Sequence, residues 1–122
     1  MKKGFLRLFI LSILHRQALH GYGLMRMIEA TTDGFWVPKA GNLYPLLREL
    51  VTEGLIEPDP SETGRRKMYH VTMQGKHELL SLMESQQEVV SHLIRASDRN
   101  RGGWVELYFQ LLDELLIPGR RE

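Results

Sequence analysis

Apolar side chains recur every three or four residues along most of this chain, the spacing of helices that bury one face. The pattern predicts five helices, at residues 5–16, 21–31, about 41–53, 73–96 and 104–116. Polar residues at 97–103, with two adjacent glycines, predict that the fourth helix ends there. The chain is therefore expected to be mainly α-helical.

The third predicted helix has two faces of different character. At about 100° per residue, one side carries Leu43, Leu46, Leu47 and Leu50, and the other carries Gly41, Tyr44, Pro45, Arg48 and Thr52. A proline is tolerated in the first helical turn, so the helix is expected to begin near Gly41 or Asn42. Gly54, which can adopt a positive φ, is expected to end it. One face would pack on a core and the other would be free to meet a ligand.

Two short runs after this helix predict a β-hairpin. Residues 55–59 are a short run ended by Pro58 and Pro60, and residues 67–71 carry the β-favouring Tyr69 and Val71. The turn between them, residues 61–64, leaves Arg65, Arg66 and Lys67 on its descending edge. Three adjacent cations are usually only a solvated surface. Because they follow a helix with Arg48 on its outer face, they are a candidate phosphate clamp.

A longer set of residues resembles the motif pattern of a known protein family. In chain order these are His20-Gly21-Tyr22-Gly23, Trp36, Gly41-Asn42-Leu43-Tyr44-Pro45-Leu46-Leu47, Leu50, Gly54-Leu55-Ile56, Gly64-Arg65-Arg66-Lys67-Met68-Tyr69, Thr72 and Gly75. With this spacing, residues 5–95 resemble the PadR family of bacterial transcriptional regulators. The resemblance implies a winged helix-turn-helix domain at residues 1–72, made of three helices and a two-stranded wing. It implies a helical dimerisation region at 73–122, with a long helix and a short C-terminal one.

The implied function is that of a homodimeric repressor that binds a palindromic operator in double-stranded DNA and is released by a small effector or a stress signal. Tyr44 and Asn42 would lie at or near base edges, Pro45 would contact a thymine methyl group, and Arg48 would reach a guanine or a phosphate. The motif positions of the remaining DNA-binding candidates assign them to the sugar-phosphate backbone; they are Tyr22, Lys39, Arg65, Arg66 and Lys67.

The chain departs from the family pattern before the third helix. Lys39 stands where the family often has Ser, a good N-cap, so capping is expected from elsewhere, such as Asn42. A cation near a helix N-terminus is mildly unfavourable. The hypothesis is that Lys39 lies beside a DNA phosphate.

The long fourth helix indicates assembly. Two adjacent apolar stripes run along it, each interrupted by a Gln: Leu79, Leu82, Gln86, Val89 and Leu93, and Leu80, Met83, Gln87, Val90 and Ile94. Two stripes favour burial against the same helix of a second copy, and two copies would present two recognition helices to two half-sites. The predicted interface comprises Leu79, Leu82, Met83, Gln86, Val89, Val90, Leu93 and Ile94. The alternative is that both stripes pack within one chain against helix 104–116.

Charge and composition agree with a DNA-binding first part. Residues 1–77 carry 11 Lys and Arg against 7 Asp and Glu, a net charge of +4, whereas residues 78–122 carry 5 against 8, a net charge of −3. No run has the length of a membrane span, and residues 1–14 lack a signal-peptide cleavage site, so a cytoplasmic protein without membrane contact is expected. The chain has no cysteine, which excludes disulfides and thiolate zinc sites.

Enzyme chemistry finds little support in the sequence. The five histidines are scattered without metal-ligand spacing, although His70 and His77 flank the start of the fourth helix. Gly21-Tyr22-Gly23 follows no strand and is not a phosphate loop. No catalytic residue, metal or cofactor is predicted. The remaining alternative is a winged-helix adaptor without DNA binding, against which Arg48, Arg65, Arg66 and Lys67 argue.

The effector is not readable from the sequence. In some relatives that this chain resembles, a Trp in the middle of the long helix stacks flat aromatic drugs, and Gln86 occupies that place here. Of the two tryptophans, Trp36 is expected in the core of the first domain. Trp104, at the start of the last helix, is the remaining candidate for an effector contact, against simple packing.

Overall fold

The computed structural model describes residues 3–31, 34, 37–60, 67–85 and 101–116, with residues 3, 5, 101–106 and 116 described by their backbone alone. The elements in chain order are α1 (Lys3–Arg16), α2 (Gly21–Thr31), α3 (Ala40–Thr52), β1 (Ile56–Pro58), β2 (Tyr69–Val71), α4 (Met73–Ser85) and α5 (Arg101–Leu116). They fall into two compact units, Met1–Gly75 and Lys76–Glu122. Three helices followed by a hairpin are the predicted winged helix-turn-helix. The functional division at residue 72 stays a prediction.

The first unit is built on three helices. α1 packs on α2 and on β2, α2 packs on α3, and α3 packs on β1. The side chains of α3 that are buried are the four predicted, Leu43, Leu46, Leu47 and Leu50. At about 1.5–3 kcal/mol for each fully buried leucine, this face fixes which side of α3 stays outside.

α1 is apolar around most of its circumference, and nearly all of that surface is buried. Its buried residues are Leu6, Leu8, Phe9, Ile10, Leu11, Ser12, Ile13 and Leu14. The Ser12 hydroxyl donates to the Phe9 carbonyl at 3.0 Å, so a polar group is satisfied inside this helix. The first predicted helix is therefore a core helix, and it begins at Lys3, two residues before the predicted start.

The hairpin pairs Ile56 with Val71, Glu57 with His70 and Pro58 with Tyr69 in antiparallel register. β1 ends at Pro58, one of the two prolines predicted to end this run. The Asp59 amide donates to the Met68 carbonyl at 2.8 Å. Pro58 and Tyr69 therefore form a pair that lies between two hydrogen-bonded pairs, and such a pair requires no N–H of Pro58 toward β2. A proline is tolerated at such an edge position.

Hydrogen bonds of Thr72, the residue before α4, hold the turn from α3 into β1. Gly54 has φ 78°, as its predicted role as the helix-ending glycine requires. The Thr72 hydroxyl donates to the Gly54 carbonyl at 2.6 Å and accepts the Gly75 amide at 3.0 Å, which caps α4. A Cβ added to Gly75 would fall on the Leu55 carbonyl oxygen, so this close approach requires glycine.

Two further helix starts differ from the prediction. α3 begins at Ala40, which places Pro45 inside the helix rather than in its first turn. α5 begins at Arg101 and includes both Gly102 and Gly103, which were predicted in the connection. Glycine at the start of a helix costs little there, because the first amides have no intrahelical partner to lose. The predicted stretch 86–96 of the fourth helix lies outside the described residues.

In the second unit α4 and α5 lie side by side. Lys76 Nζ donates to Glu114 Oε2 at 2.8 Å, and the Tyr108 hydroxyl donates to Glu84 Oε2 at 3.2 Å. The first bond joins the start of α4 to the end of α5, and the second joins the end of α4 to the middle of α5, so the two helices are antiparallel. Across the part of the chain that the structure describes, no helix combines the length and apolarity needed to cross a membrane.

Candidate nucleic-acid interface

The exposed face of α3 carries most of the predicted base-contacting residues. Asn42, Pro45 and Arg48 are exposed, as are Gly41 and Thr52 beside them. Arg48 has no acidic partner among the described residues. A guanidinium with five donors, on the free side of a helix, can bind a base edge or a phosphate.

Acidic residues of α3 are neutralised on the other side of the helix. Arg7 of α1 donates to Glu53 Oε1 at 2.8 Å and approaches Glu49 Oε2 at 3.7 Å. The Arg7 side chain is 15% exposed and the Glu53 side chain 40%, so this pairing joins α1 to the end of α3 and is partly screened by solvent. The negative charge of α3 is therefore kept away from the face that carries Arg48.

The N-terminus of α3 also points a cation toward solvent. Lys39 is the N-cap residue, with φ −81° and ψ 147°, and no side-chain hydrogen bond caps the helix. The expectation that Asn42 supplies a cap was wrong. The Asn42 and Leu43 amides both donate to the Lys39 carbonyl at 2.9 Å, so the backbone itself closes the first turn. Lys39 is exposed and sits where the helix dipole attracts anions.

Tyr44 differs from its neighbours because it is half-buried. Its ring lies over Gly21, the first residue of α2, and a Cβ at Gly21 would be 2.6 Å from Tyr44 Cε1 and 2.8 Å from its Cζ and hydroxyl oxygen. Tyr69 of β2 lies nearby: burial first and the neighbouring Tyr44 second raise the pKa of the Tyr69 hydroxyl, and Arg48 partly opposes this. Tyr44 therefore packs on the start of α2 and acts electrostatically on Tyr69 of β2.

The start of α2 presents Tyr22. This side chain is 57% exposed, and the Arg26 guanidinium carbon lies 6.0 Å from the centre of its ring. The residue that holds this helix start was missed in the sequence: His20 Nδ1 accepts the Gly23 amide at 3.0 Å. The signal was present, because a hydrogen-bonding side chain three residues before that amide occupies the N-cap place.

The cations that lack an acidic partner all lie in the first unit, as far as the described side chains extend. They are Arg16, Arg26, Lys39, Arg48 and Lys67. Lys76 of the second unit is paired with Glu114. These unpaired positive charges of the first unit favour a polyanion as partner.

The wing is described only at its base. Lys67 is half-buried, whereas Arg65 and Arg66 belong to the stretch 61–66, which lies outside the described residues. Further along the hairpin, His70 Nε2 lies 3.6 Å from Glu57 Oε2 across the strands. No group of His, Asp or Glu with metal-binding geometry occurs among the described residues, so His70 and His77 are not joined in one there.

The predicted dimer residues are described in part. Leu79 and Met83 are buried within a single chain, and Leu82 is half-buried. The other members lie outside the described residues; they are Gln86, Val89, Val90, Leu93 and Ile94. The same holds for Trp36 and for the side chain of Trp104.

Comparisons with known proteins agree with this geometry. Residues 10–81 match the Transcriptional regulator PadR-like family. The chain is 39% identical over 93 residues to the Transcriptional regulator YqjI of Escherichia coli K12, covering 76% of this chain and 44% of that protein. It is 34% identical over 77 residues to the Negative transcriptional regulator PadR of Bacillus subtilis 168, covering 61% of this chain and 42% of that protein. The chain thus spans less than half the length of these two relatives.

Two solved structures are similar in fold. A transcriptional regulator from Clostridium thermocellum is 28% identical, with a TM-score of 0.65 over 77% of this chain and 90% of that one. Bacillus subtilis PadR in complex with operator DNA is 32% identical, with a TM-score of 0.57 over 65% of this chain and 46% of that one.

Proposed function

Since the chain belongs to the PadR-like family of transcriptional regulators, we propose that it binds double-stranded operator DNA through α3, with the hairpin as its wing. The observation that carries the proposal is the exposed face of α3. It holds Arg48 without an acidic partner, while Glu49 and Glu53 are neutralised by Arg7 on the other side. A relative of known structure, Bacillus subtilis PadR, was solved with operator DNA.

The proposed contacts divide into two kinds. Asn42, Tyr44, Pro45 and Arg48 contact base edges in the major groove, with Arg48 the strongest single determinant because a guanidinium can bond a guanine with two donors. The remaining proposed residues contact the sugar-phosphate backbone; they are Tyr22, Lys39, Arg65, Arg66 and Lys67. Backbone contacts supply affinity and fix the register, and base contacts supply specificity.

The assembly we propose is a homodimer that binds a palindromic operator and acts as a repressor. Two copies of α3 about one helical turn of DNA apart would read two half-sites, which accounts for a two-fold symmetric target. An effector or a stress signal would release the protein from DNA by favouring a dimer with a different spacing of its recognition helices. Trp104 is the candidate contact for an aromatic effector.

The test begins with duplexes that the full-length, unmodified chain selects from a randomised DNA library. Binding of a selected duplex and of a scrambled duplex of equal length is then measured by fluorescence anisotropy at several salt concentrations. Arg48→Ala is expected to lower the preference for the selected duplex by about tenfold or more, the effect of one good base contact. Lys76→Gln is the matched control, because it removes the same charge from a residue paired within the second unit.

Two results would contradict the proposal. If the unmodified chain enriches no sequence and binds duplexes no more tightly than a neutral protein does, the adaptor alternative gains. If Arg48→Ala and Lys76→Gln weaken binding equally, DNA is bound by net charge alone and not by the α3 face.

A further inference from the structure

Three elements of the first unit meet around one tyrosine ring. Tyr44 belongs to α3, yet the outer end of its ring rests directly on the backbone of Gly21 at the start of α2. Gly21 is buried, so the ring covers it and excludes water there. Any side chain at position 21 would force the Tyr44 ring away, because a Cβ there would lie only 2.6 Å from Tyr44 Cε1.

The third element is β2. Tyr69 forms a two-bond bridge with Leu19, in which the Tyr69 amide donates to the Leu19 carbonyl at 2.9 Å and the Leu19 amide donates to the Tyr69 carbonyl at 3.2 Å. This bridge fixes β2 beside the residues that lead into Gly21. Burial, the largest cause, raises the pKa of the Tyr69 hydroxyl, Tyr44 raises it further and Arg48 lowers it, so both side chains act electrostatically on this phenol.

Tyr44 and Arg48 stand four residues apart on α3, so their side chains are neighbours on one face. We propose that Gly21, Tyr44 and Tyr69 form a clamp that directs the Arg48 side chain, and that Gly21 and Tyr69 are positioning residues for DNA specificity. This inference rests on the proposed function. It adds that the specificity of Arg48 depends on two residues outside the recognition helix.

A clamp is needed because arginine is long and flexible. A free guanidinium loses side-chain entropy whenever it is fixed on a base edge, and neighbours that limit its directions in the free protein reduce that loss. A phosphate contact tolerates many directions, but a two-donor contact with a guanine does not. Loss of the clamp therefore lowers the preference for the selected duplex and leaves the salt dependence of non-specific binding unchanged.

The first experiment adds one methyl group. Gly21→Ala displaces the Tyr44 ring and is expected to reduce the preference for the selected over the scrambled duplex by about tenfold, within the range of one base contact. Gly23→Ala is the matched control in the same helical turn, since the atoms nearest to its Cβ are side-chain atoms of Leu19 and His20, at 3.3 and 3.4 Å. In a Tyr44→Ala background the same Gly21→Ala change should have no further effect. Equal effects in both backgrounds would overturn the clamp.

A second experiment decides the matter even if Gly21→Ala does not fold. Tyr69→Phe keeps the ring and removes only the hydroxyl, the group on which Arg48 acts electrostatically. We expect it to lower the duplex preference about fivefold, with the salt slope and the melting temperature unchanged, and to have no effect in an Arg48→Ala background. If Tyr69→Phe lowers the preference equally in both backgrounds, or not at all, the positioning role is refuted. If the unmodified chain selects no duplex, it is the proposed function that fails.

Discussion

Replacing Lys39 by Ser should stabilise the protein and weaken its binding to DNA at the same time. Lys39 already has the extended backbone of an N-cap, and its side chain makes no cap bond. A Ser hydroxyl there can accept an amide from the first turn, which contributes about 1 kcal/mol. Removal of a cation from the positive end of the helix adds about 0.5 kcal/mol. The sum of about 1.5 kcal/mol should raise the Tm by about 5 °C.

The expected loss in DNA binding has a separate cause. Lys39 is exposed at the end of α3 that attracts anions, so in the proposed complex it lies beside a phosphate. One lost phosphate contact should weaken binding to selected and scrambled duplexes by a similar factor. It should also reduce the slope of log K against log salt by about two units, one for each protomer of the proposed dimer. Fluorescence anisotropy between low and moderate salt measures both quantities.

Lys39→Ala separates the two effects, because it removes the charge without adding a cap. The Ala variant should match the Ser variant in salt slope and should be less stable by about 1 kcal/mol in urea unfolding at equal protein concentration. An unchanged salt slope in both variants would refute the phosphate contact. Equal stability of the Ser and Ala variants would refute the account of the helix start.

Three further changes test other parts of the molecule. Thr72→Val removes a cap and a bond to the turn after α3, and should lower the free energy of unfolding in urea by about 2 kcal/mol. Thr52→Val, at an exposed helix end, should lower it by less than about 0.5 kcal/mol. Similar losses in the two variants would contradict the capping role. Arg65→Ala with Arg66→Ala should weaken binding to all duplexes and flatten the salt slope by about four units, two for each protomer of the proposed dimer, and an unchanged slope would show that the wing does not contact DNA. Leu82→Glu should give a folded monomer by light scattering; the dimer proposal is lost if the unmodified chain is already a monomer.

The hydrophobic pattern was enough to predict the buried face of α3 and the element order. Leu43, Leu46, Leu47 and Leu50 recur at helical spacing, and burial of that stripe is the largest local contribution to where the helix lies. The positive φ at Gly54 was also predictable, because a glycine directly after the last periodic leucine is the usual helix end. Such features depend on residues close together in the sequence.

Features that depend on distant residues were not predictable in the same way. Tyr44 lies on the polar side of α3 by spacing, yet it is half-buried because Gly21, more than twenty residues earlier, leaves room for its ring. The place of Pro58 in β1 follows from the alternation of hydrogen-bonded pairs with the second strand, which its own neighbours do not reveal. Helix starts were displaced by one to three residues, since short-range rules set helix ends only weakly.

The burial of several α4 residues within one chain limits the surface on which a second copy could pack. Three residues of the predicted stripes are already buried in a single chain: Leu80 and Met83 from one stripe and Leu79 from the other. Hydrogen bonds join α4 to α5 at both ends of the described part of α4. Leu82 is half-buried and lies at the edge of that buried arc. A partner helix would therefore have to approach on the Leu82 side of α4. Along the described residues 73–85, Leu82 is therefore the one predicted interface residue of α4 that is not already buried.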